Sequence, residues 1–158
     1  MYKYGQDRGP ESSPSFLRAI LNSAHYGIAN YEPMRDGSGS VTDFRIIYTN
    51  AEVPGNFGLD PEHVTGKSCS EVYPGIFTNG VFEKLTRTLE TGAPEKYEIQ
   101  TSNEQGQTIW LTAIVEKVGE SVTVTSKNVT EEKTAALRLQ EMNRLLANKN
   151  RELEQQIL

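Results

Sequence analysis

One cysteine and two histidines among 158 residues leave little material for redox or metal chemistry. A single thiol cannot build an internal disulfide framework, nor a Cys-based zinc site. Positive charge is not in excess either. Sixteen Lys and Arg face twenty-one Asp and Glu, for a net charge of −5 and a pI near 5.1. A nucleic-acid binder carries a basic stripe, and none is visible, so no nucleic-acid partner is expected. Long apolar runs are missing too: Thr108–Val115 is among the longest, it is interrupted by Thr112, and a membrane helix needs ~20 residues. The polar start, Met1–Pro14, lacks the apolar centre of a signal peptide. These absences describe a soluble, cytoplasmic chain without a membrane segment and without a metal site.

What is present divides into three parts. Residues 1–13 mix Gly, Pro, Ser and charge without periodicity and read as a flexible leader. Residues 14–129 hold almost all the aromatics, glycines and prolines, as a packed domain with turns should. Residues 130–158 contain no Gly, Pro or aromatic residue, and five glutamates there balance five bases. The last part reads as one long, neutral, solvated helix.

Within the middle part the hydrophobic period changes repeatedly. Phe16, Leu17, Ile20 and Leu21 make the apolar stripe of a short amphipathic helix over 14–24. Tyr26–Tyr31 and Asp43–Thr49 are rich in strand formers, and Asp36-Gly37-Ser38-Gly39 between them has turn chemistry, a loose hairpin. Asn50–Pro74 is broken by prolines and glycines and leaves room only for single helical turns. Asn79–Glu90 places Phe82, Leu85 and Leu89 on one helix face, and Thr91-Gly92-Ala93-Pro94 stops it. Three strand-like runs follow, Glu95–Thr101, Thr108–Lys117 and Ser121–Val129, joined at Asn103-Glu104-Gln105-Gly106 and Gly119-Glu120. This order predicts an α+β fold: a five-stranded antiparallel sheet with helices on one face and a long C-terminal helix. The other face carries part of the alternation of Trp110 and Ile114 or of Ile109 to Val115, and would need a second cover.

Several short segments then carry a family resemblance. They are Asp43-Phe44-Arg45-Ile46-Ile47-Tyr48-Thr49-Asn50, Gly66-Lys67, Glu71-Val72-Tyr73-Pro74-Gly75, Gly80-Val81-Phe82-Glu83, Leu89-Glu90-Thr91-Gly92-Ala93-Pro94, Ile109-Trp110-Leu111 and Asn128-Val129-Thr130-Glu131-Glu132-Lys133. In this order and spacing the chain from about Phe16 to Thr130 resembles a PAS domain, specifically those of bacterial sensor histidine kinases. Asn128 stands where the family's closing motif usually has Asp; it keeps a hydrogen-bond acceptor but removes any ion pair. Arg144-Leu145-Leu146 through Asn150-Arg151-Glu152-Leu153-Glu154 resembles the coiled-coil linker that leads from such a domain to the phosphoacceptor helix of a kinase.

The resemblance raises two cofactors, and the residues favour neither. Cys69 falls near the adduct-forming cysteine of flavin-binding light-oxygen-voltage domains. Those domains follow it with Arg-Phe-Leu-Gln and precede it with Asn, whereas Ser70-Glu71-Val72-Tyr73 and Ser68 stand here. Haem-binding relatives commonly take a proximal His from the longer helix, and Asn79–Glu90 has none; His25 and His63 lie in a pre-strand segment and a polar turn. No cofactor is expected. Gly37-Ser38-Gly39 is no phosphate loop. Glu131 and Glu132 suit the first turn of a helix through its dipole, with Thr130 as the N-cap. No catalytic constellation is present.

Residues expected to line a ligand pocket, or a filled core in its place, are Tyr48, Phe57, Cys69, Phe77, Phe82, Leu85, Tyr97 and Trp110. Signal transfer is expected at Asn128, Val129 and Thr130. Dimerisation is expected through Phe16, Leu17, Ile20 and Leu21, and through Leu139, Met142, Leu146, Asn150, Leu153 and Ile157 of a parallel coiled coil. Those six are spaced 3, 4, 4, 3 and 4 apart, a heptad pattern with one stutter. The resemblance implies a homodimeric regulatory module acting on downstream kinase domains in the parent chain, with no enzymatic activity of its own. A module regulating a cyclic-dinucleotide cyclase or phosphodiesterase, and a free-standing ligand- or protein-binding PAS protein, are the alternatives.

Overall fold

The computed structural model describes residues 19–20 and 25–157. Phe16, Leu17 and Leu21 of the expected N-terminal helix lie outside the described residues; Ala19 and Ile20 are helical and exposed. Five strands follow: β1 (Gly27–Arg35), β2 (Val41–Thr49), β3 (Glu95–Ser102), β4 (Thr108–Val118) and β5 (Ser121–Asn128). They form one antiparallel sheet in the order β2-β1-β5-β4-β3. Between β2 and β3 run the short helices α1 (Glu52–Gly55), α2 (Pro61–Val64) and α3 (Cys69–Val72), a 3₁₀ turn (Pro74–Phe77) and α4 (Val81–Thr91). The long helix α5 (Thr130–Ile157) closes the chain.

Both β1 and β2 run further than their strand-forming residues suggest. Asp36 explains the extension at the turn: its Oδ1 accepts from Ser38 N at 2.8 Å and Ser40 N at 3.1 Å, so the hairpin is tight. Pro33 is tolerated inside β1 because the β1–β5 pairing ends at Tyr31, so its missing N–H is not needed on that side. Arg35 and Val41 then pair across the turn.

The core lies between the sheet and the helices. β4 turns Ile109, Leu111, Ala113 and Val115 inward, and β5 adds Val122 and Val124. From β2 come Phe44 and Ile46, both fully buried, and α4 presents Val81, Leu85, Thr88 and Leu89. Gly92 ends α4 at φ 74°, its N–H donating to Thr88 O, a left-handed position that glycine occupies without strain. Glu95 at the start of β3 then ties α4 to the sheet through Arg87 at 2.8 Å and Lys84 at 3.4 Å. Gly27 opens β1 where a Cβ would stand 2.6 Å from Ser126 Oγ and 2.7 Å from Val53 Cγ2. The fully buried Asn50 joins the same corner. Its Nδ2 donates to Tyr26 O at 2.8 Å, and its Oδ1 accepts from Ile28 N at 3.0 Å.

The outer edge of β2 is covered. Gly66 N donates to Ile46 O at 2.7 Å, and Ile46 N donates to Lys67 O at 2.9 Å. That pairing blunts an exposed strand edge and places Cys69, at the start of α3, over the sheet. Glu71 closes the same helix start, accepting from Ser68 Oγ at 2.9 Å.

Candidate functional site

Between the inner sheet face and the helices lies a cavity of about 230 Å³. Its floor is Tyr31, Tyr97, Ile99, Leu111 and Val124, and its roof is Cys69, Val72, Tyr73, Ile76 and Leu85. Phe57 closes one side, its ring 5.3 Å from that of Tyr73. None of the residues lining the cavity is Asp, Glu, Lys, Arg or His. Burial raises the pKa of Cys69 to about 12, helped by the negative charge of Asp43. Burial, and then the neighbouring Cys69, also holds Tyr31, Tyr73 and Tyr97 above the ordinary phenol range. The walls are therefore neutral at physiological pH. Tyr73 Oη is buried without a hydrogen-bond partner among the described residues.

Four of the eight expected lining residues, Phe57, Cys69, Leu85 and Tyr97, meet at this cavity. The other four do not. Trp110 lies on the opposite face, because β4 buries its odd-numbered residues from Ile109 to Val115. Tyr48 is displaced by a bulge. Tyr31 pairs with Ile46 but Asn30 with Tyr48, so one extra residue, Ile47, reverses the side-chain parity of β2. Phe77 and Phe82 instead form an aromatic group with Phe44, with ring centroids 4.9 Å apart for Phe77–Phe82 and 5.8 Å for Phe44–Phe82. Phe82 sits one step around α4 from the Val81–Leu85–Leu89 stripe that faces the sheet. Tyr31, Tyr73 and Asn56 were not anticipated. Tyr73, directly before Pro74 and flanked by the apolar Val72 and Ile76, was the one available hint.

The residues expected to transfer a signal lie at the junction of β5 with α5. Asn128 Nδ2 donates to Asn56 Oδ1 at 3.0 Å, and Asn56 also lines the cavity. Asn128 Oδ1 accepts from Thr130 N at 3.0 Å and from Thr130 Oγ1. Trp110 N donates to Thr130 Oγ1 at 2.9 Å, and Val129 N donates to Trp110 O at 2.8 Å. Thr130 is thus the first helical residue and not the N-cap. Its hydroxyl serves β4, and the side chain of Asn128 satisfies the orphan N–H in its place. Lys133 lies 5.5 Å from the centre of the Trp110 ring and pairs with Glu98 of β3 at 2.7 Å. Asn128, Val129 and Thr130, expected as transfer residues, meet there, and Trp110 joins them.

Beyond this junction α5 buries none of its described residues. Leu139, Met142, Leu146, Leu153 and Ile157 remain 46–84% exposed in the single chain, and Leu137 and Leu145 are similarly open. On the outer sheet face Ile114 is 41% exposed. His25 and His63 are both exposed, and no cluster of potential metal ligands occurs among the described residues. No helix among them is long and apolar enough to cross a membrane.

Residues 35–131 match a family profile described as PAS domain. Among solved structures, the chain is similar to the PAS domain of a protein from Colwellia psychrerythraea. That pair has 17% identity and a TM-score of 0.53, over 73% of this chain and 96% of the other. A domain of a sensory box sensor histidine kinase/response regulator from Geobacter sulfurreducens is similar at 11% identity and a TM-score of 0.53, over 74% of this chain and 98% of that one. An RNA-binding light-oxygen-voltage receptor matches 95% of this chain at 14% identity and a TM-score of 0.59, over 42% of its own length. At these identities the likeness is one of fold. No curated protein matches the chain.

Proposed function

The chain belongs to the PAS domain family, and we propose that it is the sensory and dimerisation module of a cytoplasmic histidine kinase in two-component signalling. A change at the cavity would alter the position of Asn56, then of Asn128, and so the angle at which α5 leaves the sheet. The chain itself performs no catalysis; the output belongs to kinase domains in the parent protein. α5 is the start of a parallel coiled coil, and its stutter between Met142 and Asn150 is the place where a rotation of the two helices is absorbed. The Geobacter kinase domain of similar fold is consistent with this output.

The observation that carries the reading is the hydrogen-bond path from cavity to helix: Asn56 to Asn128, Asn128 to Thr130, Thr130 to Trp110. It joins the apolar cavity to a long helix whose apolar stripe is uncovered among the described residues. Sedimentation of the chain at tens of micromolar tests the dimer. The proposal expects a dimer that dissociates on Leu146→Asp with Leu153→Asp, and a wild-type monomer would refute it. The parent reading frame beyond Leu158 tests the output. A His followed by an acidic residue on a helix, then an ATP-binding domain, is expected; a cyclic-dinucleotide cyclase or phosphodiesterase would overturn the kinase assignment.

A further inference from the structure

Asn79-Gly80 is the only Asn-Gly pair in the chain. An asparagine carboxamide is open to attack by the backbone nitrogen of the next residue, which closes a five-membered ring. Glycine at that next residue offers the least steric resistance. The fold leaves this pair accessible: it lies between the 3₁₀ turn and α4, and Asn79 is exposed. The N–H groups on either side are committed. Asn79 N donates to Gly75 O at 3.1 Å, and Val81 N donates to Asn79 Oδ1 at 3.1 Å. Gly80 N, between them, donates to no acceptor among the described residues. The bond from Val81 folds the carboxamide forward along its own chain and draws electrons from its carbon, and both effects favour ring closure. Gly80 sits at φ 88°, and beyond its chain neighbours nothing stands within 4 Å of where its Cβ would be. Comparable sites are restrained. Asn30 is tied to β5 and Asn50 to the start of β1, and Asn56 and Asn128 hold each other. The N–H that follows each asparagine inside α5 is held in the helix ladder. In Asp36-Gly37, hydrogen bonds from Ser38 and Ser40 keep the carboxylate ionised, and a carboxylate is a poor target for a nucleophile.

We propose that Asn79 is a deamidation site of the folded chain, with water as the only co-reactant. Gly80 N bonds to Asn79 Cγ, the Cγ–Nδ2 bond breaks, and Nδ2 leaves as ammonia with the Gly80 amide proton. Water then opens the cyclic imide at either carbonyl, giving aspartate or isoaspartate at position 79, and nothing is oxidised or reduced. Aspartate keeps the acceptor for Val81 N and adds negative charge at the positive end of α4. Isoaspartate inserts a methylene into the main chain and removes that acceptor, at a helix start where Val81 is part of the core. The isoaspartyl product therefore loosens the start of α4. This inference goes beyond the sensory reading and does not depend on the kinase output or the coiled coil.

The test ages the whole chain at 37 °C and pH 8, native and in urea, and maps it by trypsin and mass spectrometry. Asn79 is the only carboxamide side chain in the peptide Ser68–Lys84, so the acid form of that peptide reports this site alone. Native conversion at Asn79 should be at least about tenfold faster than at any other described asparagine, and within about tenfold of its rate in urea. Asn79→Gln should abolish conversion, and Gly80→Ala should slow it by about tenfold. Hydrogen exchange should show the Val81 amide losing protection in isoaspartyl chains and keeping it in Asn79→Asp. Another described asparagine converting as fast, a native rate more than about tenfold below that in urea, or unchanged Val81 protection in isoaspartyl chains would each overturn the proposal.

Discussion

Thr130→Val replaces a hydroxyl by a methyl at the point where the sheet meets α5. The change is nearly isosteric, and Val and Thr have similar helix propensity, so shape and helix formation are held constant. Two interactions vanish: the acceptor for Trp110 N–H at 2.9 Å, and the hydrogen bond that Thr130 Oγ1 donates to Asn128 Oδ1. An orphaned buried donor costs about 1–3 kcal/mol, and the part-buried setting of Trp110 N–H puts it at the low end, about 1 kcal/mol. The lost bond to Asn128 adds roughly 0.5–1 kcal/mol. The expected loss is therefore about 1.5–2 kcal/mol, a fall in Tm of roughly 6–9 °C for a packed domain of this size. Thr130→Ser, which keeps the hydroxyl, should stay within about 0.5 kcal/mol of wild type. Thermal melting by circular dichroism gives the stability, and hydrogen exchange at the Trp110 amide reports the bond itself. A Thr130→Val variant with wild-type stability and undiminished protection of that amide would refute the role given to this hydroxyl.

Three further predictions follow from other parts of the molecule. Cys69 should resist thiol reagents at pH 8 in the native chain and react fully once unfolded, because the native thiol ionises only near pH 12. The same shift makes the unfolded state lose its proton first as pH rises above 9. Stability should then decline from pH 9 upward, less steeply in Cys69→Ala, with the tyrosines supplying the remainder; an identical slope in that variant would contradict the assignment. Gly27→Ala should destabilise by about 1–3 kcal/mol, since the new methyl meets Ser126 and Val53, and an unchanged urea midpoint would show that the corner yields freely. The purified protein should be colourless, and a flavin band in the blue or a Soret band would end the expectation that no cofactor is held.

The strand and helix order was legible because the period of the apolar residues changes wherever a turn residue intervenes. Phe82, Leu85 and Leu89 marked α4, and Gly92 marked its end; the alternation from Ile109 to Val115 marked β4. The pocket was half legible. Leu85 and Tyr97 were found because their faces follow from simple periods, whereas Tyr48 was misplaced because a bulge at Ile47 cannot be read from composition. Trp110 was misplaced for a different reason. Its size suggested a core position, but the alternation that buries Ile109, Leu111, Ala113 and Val115 turns it to the outer face, beside Lys133. Asn56 left no trace in the sequence, since its importance lies in a partner 72 positions away. Thr130 was recognised as a junction residue, yet its hydroxyl bonds a strand and not its own helix, a choice that only the closed sheet makes available.

The central claim, that two copies of this chain transmit through parallel, in-register helices, is tested most directly by cysteine crosslinking along α5. In a Cys69→Ala background, Leu146→Cys places a thiol on the apolar stripe and Arg144→Cys places one on the opposite side of the helix, where Arg144 pairs with Glu141. A parallel coiled coil brings the two copies of position 146 within disulfide reach and keeps the two copies of position 144 apart. Mild oxidation at low micromolar concentration should therefore convert the Leu146→Cys chain almost wholly to a covalent dimer and leave the Arg144→Cys chain monomeric on a non-reducing gel. Equal crosslinking of both variants, or none of either, would contradict the account.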